Sequence, residues 1–589
     1  MSKVTGKAFD LGLFKRVMSF ASDYKWLFVS TATITILMSI LAPLRTILIK
    51  ITLDDYIQSG DGQGLWYMTL IMLSLLIIHA ILQFLQNYYA NYLGQAIVKD
   101  MRIKLYNKII NYKLRYFDRT AIGTLVTRVT SDMQAVTEIF SSGILIIISD
   151  LLQLTLVVVT MCYINWKLTV VTLIPIPLLI WATNIFKNAI KKAFQEVRRE
   201  VARLNAFVQE HVSGMNIVQI FNREDKEFEK FKEINEAHKK AHIKTVWANS
   251  IFFPVVEILS ATSLSLLVWW GIGSALEGKV TQGDILAFVL LLHMLFRPIR
   301  QLADRFNTLQ MGMVAAERIF NVLDKNAFIE NNGQNSAANI SGEIEFKKVF
   351  FAYDDKEMVL KGIDFRVKPG EKVALVGATG AGKSSIINIL SRFYEYDKGD
   401  ILLDDKNIRD YEMTSLRRNV GVVLQDVFLF SESILKNITF GDESITKVQV
   451  IEAAKKVGAH DFIMQLPGDY DYNVKERGAV LSVGQRQLIS FIRAYIFNPK
   501  ILVLDEATSS IDTETEALIK NATEKLTEGR TSIIIAHRLA TIKNVDRIIV
   551  LDKGKIVEQG NHEELIAREG YYRKLHDYQY QVGTEKTVI

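Results

Sequence analysis

The 589-residue sequence has a single cysteine, Cys162, set in an apolar run. An internal disulfide framework is therefore excluded. The N-terminus also lacks the basic, then apolar, then small-residue pattern of a secretory leader. Instead, residues 9–20 mix Leu and Phe with Lys15 and Arg16, the pattern of an amphipathic helix on a membrane surface. Uniform composition is missing too. Hydrophobic residues make up 49% of the chain and charged residues 23%. That is too apolar for a soluble protein and too charged for a bare membrane bundle, so the two characters must be segregated. A chain this long also needs more than one hydrophobic core. The net charge of +6 does not argue for a nucleic-acid partner, because the flanks of membrane spans collect Lys and Arg.

Apolar stretches long enough to cross a bilayer, about 20 residues each, lie at 25–49, 66–90, 143–162, 166–186, 250–273 and 284–303. All are expected to be helices, since lipid cannot satisfy open backbone groups. Ile164 and Asn165 alone separate the third from the fourth, which predicts a tight outer hairpin. Arg297, Pro298 and Arg300 interrupt the sixth. The short connection 50–65 carries Asp54, Asp55 and Asp61 against Lys50, whereas 91–142 and 187–249 are rich in Lys and Arg. Positive-inside bias places the long connections and both termini in the cytoplasm, in a cell inner membrane. The long connections still read as helices, and an arm of about 25 residues would reach roughly 40 Å below the membrane. Their tips, near 116–122 and 213–221, are placed to touch something in the cytoplasm. Among polar residues within spans, Asp150 and Glu257 stand out, followed by His79, His293 and Arg297. Asp150 needs no special role near the end of its span; Glu257 suits either a cation or proton site or an ion pair between helices.

After Leu323 the pattern changes. Residues 325–341 are polar and unpatterned, as in a linker, and from Gly342 short β-rich runs alternate with helical segments. The expected architecture is an α-helical six-span transmembrane domain (1–324) with long cytoplasmic helical extensions. It is fused through the linker to an α/β P-loop nucleotide-binding domain (342–578), with a loose tail at 579–589.

Gly377-Ala-Thr-Gly-Ala-Gly-Lys383-Ser384 matches the phosphate-loop pattern in full, between strand-like 372–376 and helix-like 384–390. Glycines let backbone N–H groups curl around phosphates, Lys383 adds positive charge, and Ser384 can hold Mg²⁺. The expected phosphate contacts of ATP are Gly377, Thr379, Gly380, Gly382, Lys383, Ser384 and Ser385. Ile501–Leu504 reads as a buried strand ending in Asp505 and Glu506. Asp505 suits Mg²⁺, and Glu506 can polarise the attacking water.

Between these lies Leu481-Ser482-Val483-Gly484-Gln485-Arg486-Gln487. This segment resembles the L-S-G-G-Q signature of the ATP-binding cassette (ABC) family, and other family elements follow in order. The resemblance implies that Tyr353 stacks on adenine and that Gln425 senses Mg²⁺ and the attacking water. It further implies that Glu476-Arg477-Gly478 is the stretch before the signature, Asp512 sits in the loop crossing between paired domains, and His537 is the switch histidine. Physically, Ser482 can cap the following helix and leave its positive end, with Gly484 and Gln485, to receive a γ-phosphate. In the family that phosphate belongs to ATP held by a second subunit, so a homodimer or heterodimer is implied. Val483 departs from the usual glycine; it either weakens this clamp or points away from it.

The membrane half is similar to the exporter branch of the family, multidrug or lipid A flippase-like. The implied activity is ATP-driven export of amphipathic or lipidic compounds by alternating access. Arg297 and Arg300 resemble basic residues found in exporters of lipidic anions, which keeps a dedicated lipid flippase open. An ATP-gated channel or regulator is disfavoured by Glu506 and His537. A processing peptide exporter would need a cysteine protease ahead of the first span, and the expected N-terminal segment is short and has no Cys.

Overall fold

A computed structural model of the chain describes residues 11–354, 357–505, 513–536 and 544–577. They form two compact units, one of residues up to 110 together with 122–325, the other of 111–121 together with 326 onward.

The first unit is helical. After the amphipathic helix Leu11–Ser19 come Lys25–Ile51, Gly62–Ile110, Ile122–Val129 and Ser131–Glu138. Then follow Ile144–Leu173, Ile176–Ser213, the short Met215–Ile220, Glu224–Leu276 and Gln282–Leu323. By length and composition, five continuous helical stretches among the described residues are apolar enough to cross a membrane. Asn165 (φ −159°, ψ 106°) is non-helical, so Ile144–Leu173 holds the expected third span and the start of the fourth on either side of a break at that residue, and the rest of the fourth lies in Ile176–Ser213. There the Asn165 side chain accepts from the Leu168 amide at 3.1 Å, restarting the helix after the bend. The 49 residues of Gly62–Ile110 extend about 73 Å. Their apolar stretch shows Leu73, Leu76, Ile77, Ile81 and Phe84 to the outside, as a lipid-facing helix does.

Polar contacts tie this unit together where the sequence shows isolated charges. Asp54, just past the first long helix, accepts from the Thr281 hydroxyl (2.6 Å) and the Gly283 amide (2.9 Å), and Lys50 pairs with Asp284 (2.8 Å). Thr281 and Asp284 form a capping box that starts the last helix. Asp150 is buried and sits 2.8 Å from Arg305, so its charge is compensated within the bundle. Glu257 and Arg297 lie exposed on their helices. Pro254 and Pro298 are both accommodated inside continuous helices.

The second unit is α/β. Its strands are β1 (Ile344–Phe351), β2 (Leu360–Val367), β3 (Lys372–Gly377), β4 (Lys398–Leu403) and β5 (Lys406–Asn407). They continue with β6 (Val420–Val423), β7 (Ile501–Asp505), β8 (Thr531–Ile535), β9 (Arg547–Asp552) and β10 (Lys555–Gly560). One sheet is antiparallel in the order β2-β1-β4-β5; the other runs β10-β9-β3-β8-β7-β6, parallel except for β10. The parallel strands are buried on both faces. Ala374, Val376, Leu502, Leu504 and Ile534 pack into one core, and their alternating neighbours Val373, Leu375, Ile501, Val503 and Ile533 into the other.

Of two segments, the first carries the expected tip near 116–122 into the second unit, and the second departs from the sequence reading. Residues 111–121, which belong to the first long connection, fold with this second unit: the Lys113 amide donates to the Ala327 carbonyl (2.8 Å), and Tyr112 packs on Tyr116 and Phe328. The stretch that reads as a linker is bonded along its length. Asn335 pairs with Asp410 and Glu412, the Ala337 amide donates to the Ser415 hydroxyl, and Arg392 donates to the Glu330 carbonyl. Its polar side chains, uninformative as a pattern, serve as anchors.

Candidate nucleotide site

Parallel strands deliver their carboxyl ends to one edge, where an open α/β sheet builds its ligand site. At the end of β3 the chain turns through Gly377 (φ +157°), Gly380 (+81°) and Gly382 (+105°) into the helix Lys383–Leu390. A Cβ on Gly377 would meet the Leu551 carbonyl oxygen at 2.2 Å, and one on Gly382 would meet Leu360 at 2.7 Å, whereas one on Gly380 would meet nothing within 4 Å. The first two glycines are required by packing and backbone conformation. Gly380 instead faces open space, alongside the exposed Ala378 and Thr379.

Lys383 is buried, and its ammonium donates to the carbonyls of Gly377 (2.7 Å) and Ala378 (3.0 Å). Two of its three protons are thus placed by the loop, leaving one for an anion. Burial lowers its pKa from the ordinary lysine value, and the carboxylate of Asp505 opposes that shift. Ser384 is exposed at the start of the helix and Ser385 is buried behind it. Asp505, itself buried, closes β7 on the same edge. Val423 lies opposite Leu504 across β6 and β7, so the exposed Gln425 follows β6 beside the end that carries Asp505. A hydroxyl, a carboxylate and a carboxamide on one edge form the hard oxygen donor set that suits Mg²⁺. Glu506, Asp512 and His537 lie outside the described residues; the chain leads to Glu506 from Asp505 and to His537 from Ala536, just past β8.

Tyr353 is also at this site. Its hydroxyl lies 3.1 Å from that of Ser385 and accepts from the Asn388 amide at 2.8 Å. Its ring meets Phe351 and Tyr394 edge-on, with centroids 4.8 and 5.0 Å away. Asn388 and Tyr394 were not singled out by sequence reasoning. Asn388 was within reach, since it sits one helical turn after Ser385.

The signature segment stands at the start of the helix Val483–Phe497. The Ser482 hydroxyl accepts from the Gln485 amide (3.2 Å), and the Gln485 side chain accepts from the Ser482 amide (3.0 Å), a reciprocal capping box. Val483 is the first helical residue and its side chain is exposed, while Gly484 is buried. Arg486 holds the turn before the helix through the carbonyls of Leu481 (2.7 Å) and Gly478 (3.3 Å). Arg493, further along, donates to the carbonyls of Asn437 (2.7 Å) and Phe428 (3.1 Å), and burial pushes its pKa down to about 10.

The turn before the signature is strained. Lys475 (φ +59°, ψ −172°) and Arg477 (φ +54°) hold left-handed conformations without being glycine. Such residues cost about 1–3 kcal/mol each and gather at functional sites. Lys475→Gly is therefore expected to stabilise the second unit by about 1 kcal/mol after allowing for the added chain entropy of glycine. A raised thermal midpoint of the purified protein checks this; an unchanged or lowered midpoint means that Lys475 is not strained.

Residues 28–299 match the family model for the ABC transporter transmembrane region, and residues 360–509 match the model for the ABC transporter. An "Uncharacterized ABC transporter ATP-binding protein YknV" of Bacillus subtilis is 35% identical over 99% of this chain and 97% of its own length. The "ATP-dependent lipid A-core flippase" of Syntrophus aciditrophicus is 34% identical over 98% of this chain and 96% of its own. The "Probable multidrug resistance ABC transporter ATP-binding/permease protein YheH" of Bacillus subtilis is 37% identical over 90% of this chain and 79% of its own.

Proposed function

Because this chain belongs to the ABC transporter family and is an ATPase coupled to transport, we propose that it is one half of an exporter that moves amphipathic or lipidic compounds out through the bacterial inner membrane. The observation that carries this reading is segment 111–121. It leaves and re-enters the helical unit of apolar spans, yet it folds with the nucleotide unit, so one stretch of chain is common to the parts that hold ATP and cross the lipid. The basic long connections, with Lys191, Arg198 and Arg203, support a cytoplasmic placement of the second unit and of both termini.

In this reading the loop amides and Lys383 bind the phosphates, Tyr353 receives the adenine, Glu506 polarises the attacking water and His537 is the switch histidine. Ser384, Asp505 and Gln425 would hold Mg²⁺, which supplies charge neutralisation at the phosphates. Ser482 caps a helix whose free amides and positive end suit a γ-phosphate, and that phosphate is on ATP carried by a second copy or a related half. By the family resemblance, Asp512 would belong to the loop that crosses between the two. The tip Met215–Ile220 supports pairing, because Ile217, Ile220 and Phe221 are each at least 60% exposed and a second subunit would cover them. Clamping on ATP then favours one of two states of the membrane helices, and hydrolysis releases it.

The cargo class rests on the names of the multidrug and lipid A-core flippase relatives. Purified protein in lipid vesicles is expected to hydrolyse ATP faster when amphipathic compounds or lipids are added. No response across a broad panel of both would sink the proposal. A dedicated lipid flippase is the second reading, favoured by the exposed Arg297 within the last apolar helix. There Arg297→Ala lowers the lipid-stimulated rate in the same assay, while drug-like compounds have no effect.

A further inference from the structure

The nucleotide unit contains a chain of aromatic and polar contacts that runs from the phosphate loop to segment 111–121. It starts at Ser385 and Asn388, on the helix that follows the loop, which hold the Tyr353 hydroxyl from below. The Tyr353 hydroxyl is thereby tied to the helix that follows the loop. Behind it stands Tyr394, at 87° to the Tyr353 ring, in the edge-to-face arrangement that aromatic pairs prefer. Tyr394 is buried, and its hydroxyl donates to the carboxylate of Asp118. On the other side, the Arg119 guanidinium donates to the Tyr353 backbone carbonyl at 3.2 Å. Two consecutive residues of segment 111–121 thus hold Tyr353, one through its main chain and one through the ring packed against it.

We propose that Asp118 and Arg119, with Tyr394 as intermediary, are positioning residues for ATP: they set the pose of the Tyr353 ring that receives the adenine. This rests on the reading of Tyr353 given above. A buried phenol without its acceptor would turn or draw in water, and the ring it carries would no longer brace Tyr353. Because the contact is mutual, ATP that orders Tyr353 also orders Asp118 and Arg119 to the same extent in free energy. The first long connection thereby reads the base of the nucleotide, separately from any reading of its γ-phosphate.

The test is the dependence of turnover on ATP concentration, measured with full-length protein in lipid vesicles. Tyr394→Phe keeps the ring and removes the donor; Asp118→Ala removes the acceptor; Asp118→Asn keeps an acceptor oxygen. The first two are expected to raise KM for ATP about threefold to tenfold, less than the full worth of a hydrogen bond to a charged group because the bond acts on ATP only through the Tyr353 ring, with kcat little changed. Asp118→Asn is expected to restore most of the affinity. The double variant Asp118→Ala with Tyr394→Phe should be no worse than either alone, since both remove one bond. A general structural role would lower kcat and the amount of folded protein and would show additive losses, which overturns the proposal. Tyr353→Ala separates the two levels. A raised KM for Tyr353→Ala with unchanged values for Asp118→Ala and Tyr394→Phe overturns the positioning role alone. An unchanged KM for Tyr353→Ala overturns that role together with the adenine assignment.

Discussion

Glu506→Gln is expected to lower ATP turnover by about a thousandfold while ATP stays bound. A positioned general base contributes about 10²–10⁴ in rate, and the amide that replaces it cannot take a proton from water. The side chain follows a strand, β7, that is buried along its whole length and ends in Asp505. Binding rests on other groups, the loop amides and Lys383, which the substitution leaves alone. Nucleotide should therefore be retained after rapid gel filtration, with release of phosphate lost. Transport at the normal rate in Glu506→Gln would refute a hydrolytic cycle.

The second large effect is expected from Lys383→Met paired with Ser482→Arg. Methionine fills the space of the lysine stem but removes the ammonium that Gly377 and Ala378 hold in place. A hydrogen bond to a charged group is worth about 1.5–3 kcal/mol, so ATP affinity should fall about 10- to 100-fold and turnover with it. Ser482→Arg removes the cap of the signature helix and places a bulky side chain where a phosphate would sit. Each variant alone should lose most of its turnover at an ATP concentration near the KM of the unaltered protein. Mixed together, they should regain a measurable fraction of turnover, because a dimer of one copy of each still has one intact loop facing one intact signature. No recovery in demonstrably mixed dimers would mean that the signature does not serve ATP held by the other copy.

The chemistry was legible in the sequence wherever a short motif has its own local structure. The phosphate loop needs a strand, positive φ at glycines and a helix, and all three are in the run from Lys372 to Leu390. Ser482 and Gln485 are a capping box three residues apart, readable without any tertiary context. Strand order was not legible, since β3 lies between β8 and β9 although their sequence positions are remote. The packing of 325–341 was also hidden, because Asn331, Asn335 and Ser336 look like loop residues and their partners, such as Met413 and Ser415, lie some 80 positions away. Asp118 and Arg119 lie within the expected tip 116–122, but their partners Tyr394 and Tyr353 could not be read for the same reason. The break at Asn165 was legible too, because hydropathy divides the chain at the residue whose backbone leaves the helical conformation.

The bond between Tyr394 and Asp118 joins residues 276 positions apart, and this has a consequence for biosynthesis. At about 5–20 residues per second, the ribosome makes Tyr394 roughly 15–55 s after Asp118. For roughly the first 10–40 s of that interval Tyr112 and Tyr116 have no Phe328 to cover them, and the segment that carries them must stay unaggregated next to a growing membrane bundle. A cassette produced by itself from residue 326 onward meets the converse difficulty, with Phe328 and Tyr394 bare. Nascent chains stalled between these positions are where a chaperone would find exposed aromatic surface to hold.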